Sequence, residues 1–185
     1  MKELKPMLMK KFAHALCTNG LKIYSCGGYD SKKVLSDCQC YNVSNNKWHQ
    51  LPSLLTPREC PAAFLFNRKE IYVVGGYNGC RIGLMEKMSN SKWENVNLKD
   101  LAPMSCVNAI QIGADDVLLF GCGKYSMVIA MGSLSLKECG SMKHEGTFFH
   151  NAAPVWVDSY IYAVDNCKLI HCFSIKDKKW SFIEK

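Results

Sequence analysis

A short apolar run recurs through this 185-residue chain at nearly constant spacing. The run at residues 23–28 (IYSCGG) returns 48 residues later at 71–76 (IYVVGG), then after 46 residues at 117–122 and after 44 more at 161–166. The first two copies end in a glycine pair, which predicts a buried strand that stops where the backbone needs a positive φ or a close approach. This period restricts the chain to a repeat architecture.

Tryptophan keeps the same period. Trp48 and Trp93 are 45 residues apart, and Trp180 follows 87 residues later, about two periods. Tyr41 and Phe173 each stand seven residues before a tryptophan, which predicts the same pair of strands in two repeats. A Leu- or Met-rich turn and a further apolar strand complete each unit. Four short strands every 44 to 48 residues predict a β-propeller whose tryptophans lie buried between its blades.

An apolar strand ending in two glycines, then a tyrosine, then a tryptophan before a Leu/Met-Pro turn resembles the kelch repeat. The residues that carry this resemblance are Gly27, Gly28, Tyr41, Trp48, Gly75, Gly76, Trp93 and Trp180, together with Arg58 at a position where kelch repeats commonly place arginine. The resemblance implies an all-β, kelch-type β-propeller of about four four-stranded blades.

The later repeats depart from the kelch pattern. The third has Cys122 in place of the second glycine and no tryptophan, and the fourth has Asp165 and Asn166 in place of the pair. The rival WD-repeat propeller would carry Trp-Asp dipeptides, and the chain contains none. The kelch resemblance extends over about residues 12–183 and is most specific in the first two repeats.

We expect a basic N-terminal lead at residues 1–11 and one propeller domain at 12–185, with repeats near 12–54, 61–104, 106–142 and 150–183. The first apolar segment matches the strand that precedes a glycine run, and the last strand matches the tryptophan strand. In kelch-like propellers that offset lets the N-terminal strand complete the last blade, so four units could close a ring. The favoured alternative is an incomplete ring, because four blades are few for this family.

The charge and the cysteine content indicate which classes of partner and which cellular compartment to expect. The net charge is +7, but the lysines are scattered and arginine occurs only three times, which favours a solvated surface over a nucleic-acid site. No run of 18 apolar residues occurs, so we expect no membrane partner. Eleven cysteines without a Cys-x-x-Cys pair or a secretory signal indicate reduced core thiols in a cytoplasmic protein rather than disulfides or zinc.

Catalytic motifs are missing from the sequence. There is no Gly-x-Ser-x-Gly elbow, phosphate-binding loop or His-Glu-x-x-His helix, and we assign the turn at residues 121–123 (GCG) to a strand end. We therefore predict that the chain is not an enzyme and binds neither a cofactor nor a metal ion. Some kelch-type propellers are copper oxidases, and under that alternative Tyr29, Tyr77 and His150 are the candidate ligands.

Kelch propellers similar to this chain are interaction modules. Some recruit substrates to cullin ubiquitin ligases, and others bind actin. The resemblance thus implies a non-catalytic module that binds an unidentified protein, either a ligase substrate or a cytoskeletal protein. Loops on a rigid scaffold carry binding, and Tyr and Arg are enriched at hot spots, so Tyr29, Tyr77, Asn78 and Arg58 are the predicted partner contacts. The alternative for Asn78 is ordinary turn chemistry.

Overall fold

The computed structural model describes residues 3–121, 125–141, 154–165 and 169–183, and these form sixteen β-strands. Among them there is no helix of the length and apolarity that crossing a membrane would require. The strands are β1 (Ala15–Thr18), β2 (Lys22–Cys26), β3 (Cys38–Asn42), β4 (Lys47–Leu51), β5 (Ala62–Phe66), β6 (Glu70–Val74), β7 (Met85–Ser89), β8 (Lys92–Val96), β9 (Asn108–Gln111), β10 (Asp116–Phe120), β11 (Tyr125–Ala130), β12 (Ser135–Ser141), β13 (Val155–Val157), β14 (Tyr160–Val164), β15 (Ile170–Ser174) and β16 (Lys179–Ile183).

Four consecutive strands at a time form one antiparallel sheet. The sheets β1–β4, β5–β8, β9–β12 and β13–β16 are blades 1 to 4 of a β-propeller. In blades 1 to 3 the first strand is innermost, since β1 packs against β5 and β5 against β9. The prediction of an all-β propeller of four four-stranded blades is confirmed, and all four recurrent apolar runs supply the second strand of a blade.

The first strand belongs to the first blade. Ala15 pairs with Cys26 and Thr18 with Ile23, so β1 and β2 form one hairpin. Ring closure by an N-terminal strand that completes the last blade, one of the two alternatives above, is therefore not the arrangement found. A tight turn explains the local pairing: the Asn19 side chain accepts hydrogen bonds from two backbone N–H groups, and Gly20 has a φ of 90°. Closing so short a loop costs less entropy than pairing across the whole chain.

Aromatic cross-strand pairs join the third and fourth strands, as the seven-residue spacing predicts. Tyr41 lies directly opposite Trp48, and their ring centroids are 5.2 Å apart. Phe173 lies opposite Trp180 at the same 5.2 Å separation. Such pairs stabilise a sheet beyond the burial of their area.

Apolar side chains fill the space between neighbouring blades. Strands alternate their side chains, so each blade presents one apolar face to each neighbour. The described residues form three such clusters. Ile71 is buried in the cluster between blades 1 and 2, Leu119 in the cluster between blades 2 and 3, and Phe173 in the cluster between blades 3 and 4. This packing makes each blade depend on its neighbours for stability.

The N-terminal lead lies against the face of blade 1 that points away from blade 2. The backbone N–H of Leu8 donates to Gln39, and the Trp48 indole donates to the carbonyl of Lys5 at 3.0 Å. In blade 2 the corresponding indole, that of Trp93, donates to the carbonyl of Pro52, which lies in the connection between blades 1 and 2. The N-terminal lead therefore packs on blade 1 in the way that this connection packs on blade 2.

Candidate functional site

The long connections of this propeller share one side. In an antiparallel four-stranded blade the second and fourth strands end on the same side, so the loops at 27–37 and 75–84 and the inter-blade connections at 52–61 and 97–107 lie together. We call this side the long-loop face. The opposite side, the hairpin face, carries short turns such as 43–46 and 90–91. Long loops on a rigid scaffold are the usual place for binding residues.

Tyr29 and Tyr77 occupy equivalent places on the long-loop face, one residue after each glycine pair. Tyr29 exchanges backbone hydrogen bonds with Phe12, and Tyr77 exchanges them with Glu59. The Tyr77 side chain is 40% exposed and the Tyr29 side chain is half-buried. Asn78 is exposed, and its backbone N–H donates to Cys80 to close the turn.

Arg58 lies inside the protein. Its side chain is 0% exposed and forms an ion pair with the equally buried Glu86. The guanidinium also donates to the carbonyls of Gly75 and Leu84. Burial lowers the pKa of Arg58, and the charge of Glu86 partly offsets that effect. The prediction of Arg58 as a partner contact is therefore corrected: this side chain holds the inter-blade connection in place and cannot reach a partner.

The first glycine pair lets the Arg58 segment approach. Gly27 and Gly28 have φ values of 68° and 112°, which residues with a side chain rarely adopt. A Cβ on Gly27 would collide with the Arg58 carbonyl oxygen. The Gly28 N–H donates to that same oxygen at 2.9 Å. In blade 2, Gly75 and Gly76 repeat this geometry against Met104.

Apolar side chains stand exposed among the loops. Phe12 is 55% exposed and contacts the Tyr29 ring edge-on, with centroids 5.5 Å apart. Leu55 and Leu84 are 55% and 47% exposed. These three residues lie in the connections of blades 1 and 2 on the long-loop face.

Three cations lie on the loops of the same face. Lys32, Lys33 and Arg81 are exposed. The nearby Asp30 carboxylate accepts the backbone N–H groups of Lys33 and Lys32, which lowers its pKa. The carboxylate is thus held in its own turn, while the lysine side chains extend into solvent.

A cavity of about 500 Å³ lies at the axis, between the starts of the inner strands. Its lining is mostly apolar, with residues from the starts of all four blades contributing. They include Phe12, His14, Leu16, Pro61, Ala63 and Asn108. A pocket of this kind accepts one side chain of a bound segment.

Of the three candidate copper ligands, Tyr29 and Tyr77 lie on the long-loop face. His150 lies outside the described residues, as do Cys122 of the possible nucleophile turn and Asn166 of the fourth repeat. Within the described ranges, no three His, Cys, Asp or Glu side chains gather closely enough to hold a metal ion.

Sequence reasoning missed two contributors to this face. Phe12 corresponds to Glu59 in the next repeat, since each pairs with a loop tyrosine. Arg81 pairs with Tyr77 as Val34 pairs with Tyr29. Alignment of the repeats around the two tyrosines would have found both positions, but their exposure depends on how the loops fold.

Comparison with known proteins agrees with this architecture. Residues 11–55 match the family described as Kelch motif. Over 62 residues, 34% of the chain, the sequence is 34% identical to an F-box/kelch-repeat protein of Arabidopsis thaliana, and the match covers 18% of that protein. Over 110 residues, 57% of the chain, it is 28% identical to a kelch domain-containing protein of Sulfurisphaera tokodaii, covering 15% of that protein. The chain thus spans less than a fifth of either relative. Blade 1 carries a kelch motif and all four blades share its four-stranded fold, and together these findings support a kelch-repeat family for this chain.

Proposed function

We propose that this chain is a non-catalytic protein-interaction module that binds an acidic segment of its partner across the long-loop face. The observation that carries the proposal is the combination of exposed Phe12 and Tyr77 with exposed Lys32, Lys33 and Arg81 on one side of a rigid scaffold. Aromatic side chains supply contact area at little entropic cost, and the cations select and steer an acidic ligand. An apolar side chain of the partner enters the axial cavity.

Peptide binding tests the proposal. A panel of labelled peptides of equal length would be acidic, basic or neutral, each with and without one large apolar residue, and fluorescence anisotropy would report affinity. We expect the acidic, apolar-containing peptides to bind best and to weaken as salt rises. A preference for basic or neutral peptides would contradict the proposal.

Matched variants locate the site. The site variant combines Tyr29→Ala, Tyr77→Ala and Arg81→Ala. The control combines Asn45→Ala, Lys69→Ala and Lys92→Ala, all exposed on the hairpin face. We expect the site variant to lose at least tenfold in affinity and the control to match the unmodified chain. Equal loss in both would place binding elsewhere.

We also propose a more specific role, in which the module is the substrate-recognition part of a cullin ubiquitin ligase in the cytoplasm. This proposal is supported by the kelch resemblance and by the similarity to an F-box/kelch-repeat protein. Affinity purification of the tagged chain, with quantitative mass spectrometry of cullins, tests the assembly, and imaging of the tagged chain tests the compartment. A purification enriched in actin and free of cullins would favour the actin-binding alternative.

The metal content of the purified protein distinguishes the binding module from the copper-oxidase alternative. Elemental analysis of protein purified without chelators measures copper, iron and zinc per chain. Stoichiometric copper would contradict the non-catalytic proposal.

A further inference from the structure

Cys60 and Cys106 lie one repeat apart and occupy the same position in adjacent blades. They are 46 residues apart, which equals the spacing of the second and third apolar runs. Each precedes an innermost strand, and their φ values of 52° and 51° are nearly identical. The N–H of Val107, next to Cys106, donates to the carbonyl of Cys60 at 3.5 Å. The repeat thus brings two thiols together on the long-loop face.

The two thiols interact and are chemically unequal. Interaction with the Cys60 side chain lowers the pKa of Cys106 to about 7, with further help from Ser105 and the charge of Arg81. The same interaction is the largest cause that raises the pKa of Cys60. Both side chains are partly exposed. An accessible thiolate beside a protonated thiol is the arrangement that reacts with oxidants.

A second thiol pair supplies an internal contrast. Cys26 and Cys38 are cross-strand partners in blade 1, and both are 0% exposed. The neighbouring Cys38 side chain and burial raise the pKa of Cys26 well above its ordinary value. Proximity of two thiols is therefore not enough for reactivity. Of these two pairs, only Cys60 and Cys106 combine solvent access with a lowered thiol pKa.

We propose that Cys60 and Cys106 form an oxidation site at which a small hydroperoxide converts two thiols into a disulfide that joins blades 2 and 3. The Cys106 thiolate attacks one peroxide oxygen, the O–O bond breaks, and the departing oxygen takes a proton to become water or an alcohol. Cys106 is then a sulfenic acid. The Cys60 sulfur attacks the Cys106 sulfur, the S–O bond breaks, and the released hydroxide takes the Cys60 proton to form water. The two thiols lose two electrons and the hydroperoxide gains them.

The proposal is tested on the reduced full chain with hydrogen peroxide as the probe. We expect the intact mass to fall by two hydrogen atoms and proteolysis to yield a peptide cross-linked between Cys60 and Cys106. Cys106 and Cys122 share a tryptic peptide, so fragmentation must identify the bonded sulfur. The rate of thiol loss should rise about tenfold per pH unit below the Cys106 pKa of about 7 and level off above it.

Single variants separate the two steps. Cys60→Ser should stop the reaction at a sulfenic acid on Cys106, which dimedone traps, and Cys106→Ser should leave Cys60 reduced. Cys80→Ser, which changes an exposed cysteine of the neighbouring loop, should leave the cross-link rate unchanged.

If a variant fails to fold, the reactions of the unmodified chain with phenylarsine oxide and hydrogen peroxide still test the proposal. Phenylarsine oxide, which requires two adjacent thiols, should bind once per chain and block the peroxide reaction at Cys60 and Cys106. A cross-link between Cys26 and Cys38 instead, or oxidation of Cys106 without any cross-link, would overturn the proposal.

Discussion

Arg58 and Glu86 form an ion pair in which neither side chain reaches solvent. Glu86 also accepts the backbone N–H groups of Leu55 and Thr56. The pair therefore ties the connection that leaves blade 1 to the third strand of blade 2. A buried ion pair whose remaining bonds are satisfied keeps a single geometry, because any other arrangement leaves a charge unpaired.

Removal of one partner should be costly. Arg58→Ala leaves Glu86 buried without its counter-ion, and we expect a loss of about 3–5 kcal/mol in the free energy of unfolding. The double variant Arg58→Ala with Glu86→Gln should be more stable than Arg58→Ala alone, because no buried charge is left over. Urea denaturation measures both. Lys87→Ala, which breaks only exposed ion pairs with Glu70 and Glu94, should change stability by less than about 1 kcal/mol.

Close approach at Gly27 should matter more than its dihedral angle. Gly27→Ala places a Cβ against the Arg58 carbonyl, so we expect a loss beyond the ~1–3 kcal/mol that a strained φ alone costs. Gly20 also has a positive φ, but no atom lies within 4 Å of an added Cβ. Gly20→Ala should therefore cost only about 1 kcal/mol. Equal costs in urea denaturation would contradict the close-approach explanation.

Trp180 should carry much of the contact between blades 3 and 4. Its ring packs on Phe120 and Phe173, and its indole N–H donates to Ser126 at 2.7 Å. We expect Trp180→Ala to cost about 3 kcal/mol, the low end for such a truncation because the ring is only partly buried. Trp156, which is 49% exposed, is the matched control, and Trp156→Ala should cost under about 1 kcal/mol. Thermal unfolding followed by circular dichroism compares them.

Asp37 should hold the N-terminal lead. Its carboxylate accepts hydrogen bonds from the buried Lys11 ammonium and from the side-chain amides of Gln39 and Gln50. Burial alone would raise the pKa of Asp37, but these hydrogen bonds and the Lys11 charge bring it below 3.8. The stabilisation is therefore present above pH 3.8 and is lost as pH falls through the lowered pKa.

Hydrogen exchange at Leu8 reports this contact, because its N–H is bonded to Gln39 in the docked state. We expect Asp37→Asn to speed exchange there at neutral pH. Asp30→Asn should have no effect, since the Asp30 carboxylate bonds only within its own turn. Unchanged protection in Asp37→Asn would mean that the lead is held by other contacts.

Periodicity determined most of the architecture from sequence alone. The apolar runs and the Tyr41–Trp48 spacing identified strand type, blade number and the cross-strand aromatic pair, because a repeat must bury the same positions in each copy. The sequence also placed Cys60 and Cys106 one period apart. It did not show that the two residues lie next to each other, since that depends on how closely blades 2 and 3 pack.

Tertiary structure alone decided which polar and terminal residues lie inside. Arg58 and the exposed Arg81 look alike as loop arginines, and only the position of Glu86 shows that Arg58 is buried. The docking of the N-terminal lead on blade 1 was likewise beyond local sequence. Burial and charge pairing depend on distant parts of the chain, whereas the alternation of apolar residues in a strand is visible in the strand's own sequence.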